Sequence, residues 1–171
     1  MTFSIPACAS TSWLRWEGGS LCVENVSLLE IAAKFGTPCY VYSQAALLAN
    51  LRRFQEVFQG LPVVLHYAVK ANPNLALLRI LCQEGLGAEV VSAGELAKAR
   101  RAGFPSHRIL FTGVGKTEEE LSLAVRAGLK ALVVESLEEL GVVSELARAL
   151  GTRPRIALRV NPGLDPVSYT H

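Results

Sequence analysis

From residue 63 onward, short apolar runs rich in β-branched residues alternate with helical patterns every 20 to 25 residues or so, and this rhythm restricts the fold more than any other feature of the chain. The predicted strands are Val63 to Val69, Ala88 to Val91, Ile109 to Thr112, Ala131 to Glu135 and Arg155 to Val160. Between them, "NLALLRILCQEG", "AGELAKARRAG", "TEEELSLAVRAG" and "SLEELGVVSELARALG" space their apolar residues three and four apart, and most close on glycine. Three helix starts carry the S/T-x-x-E capping pattern, at Ser92 with Glu95, Thr117 with Glu120 and Ser136 with Glu139.

Strands joined through helices imply a mostly parallel sheet, either doubly wound and open or closed into a (β/α) barrel. The G-x-G-x-x-G turn that would favour a dinucleotide-binding open sheet does not follow the first strand, which favours the barrel. Ahead of the array, Ser27 with Glu30 makes a fourth capping pattern, and "CYVYS" reads as a short strand leading into a helix. Residues 1–38 are read as a lead-in, and 39–171 as the barrel portion.

The chemistry gathers at strand ends. In "VVLHYAVKANPN", alternation groups Val64, His66, Ala68 and Lys70 on one face and Val63, Leu65, Tyr67 and Val69 on the other. In a barrel the first face looks inward, and Lys70 stands at the carboxyl end, where such folds place their reactive groups. An amine there suits Schiff-base formation with a carbonyl compound or with pyridoxal phosphate; a lysine reaching out to solvent is the alternative. The same alternation turns Arg159 inward with Arg155 and Ala157, and groups Glu89 with Val91 on a strand too short to fix which face they take. Charges on an inner face are costly unless paired or bound to a ligand, so Lys70, Glu89 and Arg159 outline a polar pocket, the alternative for Glu89 and Arg159 being a buried ion pair or a rim contact.

"TGVGKT" at Thr112 to Thr117 ends like a phosphate-binding P-loop, but Leu110 occupies the place of its first glycine. Gly113 and Gly115 still permit a tight turn beside the site. His66 is read as a core residue below Lys70 and His107 as exposed. Glu95 and Glu139 are accounted for by capping, and Glu135, whose place at a strand end would let it face the pocket, is read as a surface residue.

The 17 basic and 15 acidic residues are scattered, giving a net charge of +2 with no basic stripe, so nucleic acid is not an expected partner. Cys8, Cys22, Cys39 and Cys82 form no C-x-x-C pair and have no histidine at ligand spacing, so no metal is expected. With no secretory start and no apolar run of membrane length, the expectation is a cytoplasmic protein with reduced thiols.

The stretches "GTPCYVYS", "HYAVKANPN", "GLGAEVVSAGEL", "RILFTGVGKTEEEL", "VVESLEEL" and "LRVNPGLDP" resemble, in order, the amino-terminal part of the diaminopimelate decarboxylases, pyridoxal-phosphate enzymes that share the alanine-racemase barrel. The resemblance implies a (β/α)8 TIM-type barrel, of which the first five or so strands are present. It implies that Lys70 holds pyridoxal 5'-phosphate, that Glu89 stands where the family usually has a shorter aspartate, and that Arg159 is the family's inner arginine near the cofactor. The implied reaction converts meso-2,6-diaminopimelate to L-lysine and carbon dioxide in a homodimer. The later strands, the glycine-rich phosphate loop and the carboxyl-terminal β-domain are not found, so an incomplete piece, inactive alone, is expected. A non-catalytic cofactor-binding or interaction module, or an ornithine or arginine decarboxylase of the same fold, are the alternatives.

Overall fold

The computed structural model describes residues 13–162, which divide after Val63 into two compact units. In the first, Leu14–Glu17 (β1), Ser20–Val23 (β2) and Val26–Ser27 (β3) form an antiparallel meander followed by helices Leu28–Phe35 (α1) and Gln44–Val57 (α2). Gly18-Gly19 joins β1 to β2, a dipeptide suited to the tight primed turns of hairpins. The strand expected at "CYVYS" is absent: residues 39–43 pair with no strand, and Tyr40 stacks on Tyr42 instead.

The second unit is a five-stranded parallel sheet of His66–Ala68 (β4), Gly87–Val90 (β5), Ile109–Phe111 (β6), Ala131–Val134 (β7) and Ile156–Leu158 (β8). Leu75–Gln83 (α3), Ala93–Ala102 (α4), Glu118–Arg126 (α5) and Leu137–Ala149 (α6) make the crossovers. All five predicted strands are present, four of them shorter than predicted and β5 of equal length but starting one residue earlier. The largest difference is at β4, where Val63 and Val64 are exposed and the chain leaves the strand in a 3-10 turn over Val69–Ala71.

Spatial order follows chain order from β4 to β8 without reversal, whereas a doubly wound sheet reverses at its switch point. The two faces also differ. Ala88, Val90, Ile109, Phe111, Leu132 and Val134 are essentially fully buried, whereas His66, Ala68, Glu89, Leu110, Ala131 and Val133 on the opposite face are half-buried. One covered face and a monotonic order are the wall of a (β/α) barrel, as the strand rhythm predicts. All of β8 is exposed. Among the described residues no helix is long and apolar enough to cross a membrane.

Candidate active site

The half-buried sheet face becomes polar at the carboxyl ends of its strands. Backbone bonds from Thr112 N to the Val90 carbonyl (2.8 Å) and from Arg159 N to the Val134 carbonyl (3.0 Å) carry the parallel ladder past β6 and β8, fixing the residues that follow the strands. Thr112 Oγ1 donates to Glu89 Oε1 at 2.8 Å. Arg159 reaches Glu135 Oε2 at 3.2 Å, with side chains 59% and 11% exposed respectively. The other oxygen, Glu135 Oε1, is buried and has no hydrogen-bond partner among the described residues. Lys70 stands in the 3-10 turn just beyond β4, exposed, and its amine has no hydrogen bond or ion pair among the described residues.

The connections behind these residues are tied by glutamates at the third position of α4, α5 and α6. The full reciprocal capping box occurs at Thr117 and Glu120. At α4 and α6, Ser92 and Ser136 accept from Glu95 N and Glu139 N as expected, but each glutamate reaches one residue further back, to Val91 N (2.9 Å) and Glu135 N (3.1 Å). Glu120 Oε1 also accepts from Ala93 N at 2.9 Å, joining the α5 start to the preceding connection, and these backbone donors hold its carboxyl below the usual range. Ser27 caps α1 through Leu29 N.

Gly113 and Gly115 both take the left-handed conformation, as the tight turn predicted in "TGVGKT" requires. Lys116 is 1% exposed and gives its ammonium to the Gly113 carbonyl (2.6 Å) and to Glu139 Oε1 (2.5 Å). Glu139 therefore does more than cap, and Lys116 is not free to bind phosphate. Two further readings change. His66 is half-buried on the open face instead of being a core residue, and Glu135 is withdrawn from solvent because Arg159 lies beside it on the neighbouring strand. His107 is exposed, as expected, and His171 lies outside the described residues.

Sequence reasoning missed Thr112 and undervalued Glu135. The available signal was positional: both are polar residues at the end of an apolar strand, in phase with its inner face. Among the described residues, no three His, Cys, Asp or Glu side chains gather as a metal site would need. A cavity of about 290 Å³ lined by His107, Lys130, Arg153 and Arg155 lies at the amino ends of β6 to β8, opposite to Lys70. The carboxyl ends of β5 to β8 thus carry two carboxylates, a hydroxyl and a guanidinium, and the exposed Lys70 stands just past the end of β4 with no partner for its amine among the described residues.

Residues 44–169 match the family described as pyridoxal-dependent decarboxylase, pyridoxal binding domain. The chain is 47% identical over 158 residues to a diaminopimelate decarboxylase of Zymomonas mobilis, covering 91% of this chain and 37% of that protein. A solved diaminopimelate decarboxylase of Methanocaldococcus jannaschii in complex with L-lysine superposes with a TM-score of 0.83 at 38% identity, over 90% of this chain and 37% of that one. A lysine/ornithine decarboxylase of Vibrio vulnificus shares the fold at a TM-score of 0.68 and 23% identity, over 79% of this chain and 35% of that one. The chain thus spans a little over a third of the length of the relatives it matches.

Proposed function

Because this chain belongs to the pyridoxal-dependent decarboxylases, through their pyridoxal-binding domain, we propose that it carries the cofactor-anchoring face of an enzyme that converts meso-2,6-diaminopimelate to L-lysine and carbon dioxide. The observation that carries the proposal is the Lys70 amine just past the carboxyl end of β4, without a partner among the described residues, on a strand order whose later ends supply Glu89, Thr112, Glu135 and Arg159. Preference for diaminopimelate over ornithine or arginine rests on the higher identity to the diaminopimelate decarboxylases.

The residues present fit the group. Lys70 offers a primary amine to an aldehyde, and an amine released from that bond can carry a proton. Arg159 and Glu89 are the charged groups that would flank the ring, and the buried Glu135 Oε1 has no donor among the described residues. Pyridoxal phosphate, when bound, supplies an electron sink for the pair released as carbon dioxide leaves. What the chain adds is orientation: a glutamate held by a threonine hydroxyl and an arginine held by a carboxylate present fixed charges and need little reorganisation. The same reading makes the working unit a cytoplasmic homodimer, on the strength of the resemblance.

Incubation with pyridoxal phosphate, borohydride reduction and peptide mapping test the assignment. A single adduct on Lys70, lost in Lys70→Ala, is the expected result. Adducts spread equally over surface lysines in both proteins would sink it.

A further inference from the structure

Building on the reading that this face receives a pyridine aldehyde phosphate, we propose that Glu135 is a positioning residue for Arg159, itself fixed by the buried Lys116–Glu139 pair. Four contacts run in series. Lys116 Nζ donates to the Gly113 carbonyl at 2.6 Å and to Glu139 Oε1 at 2.5 Å; Glu139 Oε2 accepts from Glu135 N at 3.1 Å; Glu135 Oε2 meets Arg159 Nη1 at 3.2 Å. The turn after β6, the start of α6 and the ends of β7 and β8 are thereby joined into one chain of bonds.

Burial marks the direction of control. Lys116 and Glu139 are 1% and 12% exposed, so their geometry is set by packing; Arg159 at 59% is not, and depends on its neighbour. A long exposed side chain gives up rotamer freedom only where something holds it, and the 11% exposed Glu135 is the holder. Register places the two together, since Val134 pairs with Leu158 and the next residue on each strand is Glu135 and Arg159. Glu135 Oε1, buried and unpartnered among the described residues, leaves the carboxylate room for a second donor beside the Arg159 contact at Oε2. A buried pair such as Lys116–Glu139 adds little net stability but specifies one arrangement, which is the service a relay needs.

Nitrogen relaxation of the Arg159 side-chain Nε–H in the cofactor-free chain reads the positioning directly. We expect Arg159 to be ordered in the native chain and mobile in Glu135→Gln, which keeps the shape and removes the charge, and in Lys116→Met. Glu135→Gln leaves the buried pair intact and carries the test alone if Lys116→Met fails to fold. An Arg159 that is already mobile, or equally ordered in Glu135→Gln, overturns the proposal. Titration with pyridoxal phosphate, followed by absorbance, gives the second reading. Glu135→Gln and Arg159→Gln should each weaken binding about ten- to a hundredfold, and the double variant should be no worse than either. Additive losses would show independent roles and overturn the inference. Dependence of Arg159 order on Glu135 without capture on Lys70 would support the positioning and discard the cofactor reading.

Discussion

The His66 ring lies 3.3 Å from the Val64 carbonyl through Nδ1, which assigns the proton there and leaves Nε2 to accept from Lys130 Nζ at 3.4 Å. Burial first, then the Lys130 ammonium, push its pKa below the ordinary 6.5, while the Val64 carbonyl and Glu89 pull the other way. In the folded chain His66 therefore resists protonation. As the pH falls through 6.5 toward the folded value, the unfolded chain takes up the proton first and stability drops. Denaturant midpoints compared above and below that value should show the drop, and His66→Gln should flatten it; an identical slope in the variant would refute the assignment. The same ring explains Gly87. A Cβ there would collide with the His66 ring and stand 2.6 Å from the Arg108 carbonyl, so Gly87→Ala should cost about 1–3 kcal/mol in urea unfolding. At this scale the sequence disclosed what one strand can disclose: a lysine ending an apolar run and the inward parity of Arg159, whereas the face of Glu89 needed the register of its neighbours. Glu135 was misread because its burial comes from Arg159, more than 20 residues away and adjacent through pairing of β7 with β8.

Helices in the parallel unit start where side-chain oxygens meet orphan backbone donors, and one of these starts does double duty. Glu120 serves Thr117 N through Oε2 and Ala93 N through Oε1, so Glu120→Ala should remove about 1–2 kcal/mol, against a smaller loss for the exposed Glu118→Ala. Equal midpoints for the two variants would deny that Glu120 links successive connections. The last three crossover helices, α4 to α6, were legible because 3.6-residue periodicity, serine or threonine caps and glycines at or just past the end coincide in each. The meander of β1 to β3 was not anticipated. Its strands are only two to four residues long and β1 is exposed throughout, so they carry almost no period-2 signal, and the Gly18-Gly19 turn was the one readable mark. "CYVYS" shows the converse: β-prone residues make no strand without a partner.

Among the described residues of the parallel unit the outer edges of β4 and β8 are unpaired, and Ile156, Leu158 and Val160 are exposed along and just past the last of them. Free edges with apolar side chains invite pairing with another chain, so light scattering should give a mass that rises with concentration. A constant monomer mass up to high concentration would contradict this. The barrel class was legible at this scale from rhythm alone, whereas the choice of polar face needed the register of all five strands at once. That register has a further consequence. His66 from Gly87, Ala88 from Ile109, and Leu110 from Ala131 are each separated by 21 residues, and Leu132 from Ile156 by 24. Every pairing joins a strand to the one that left the ribosome just before it, across a loop of nearly constant length and hence nearly constant closure entropy. Assembly can therefore keep pace with synthesis, each new strand docking on a finished neighbour as it emerges.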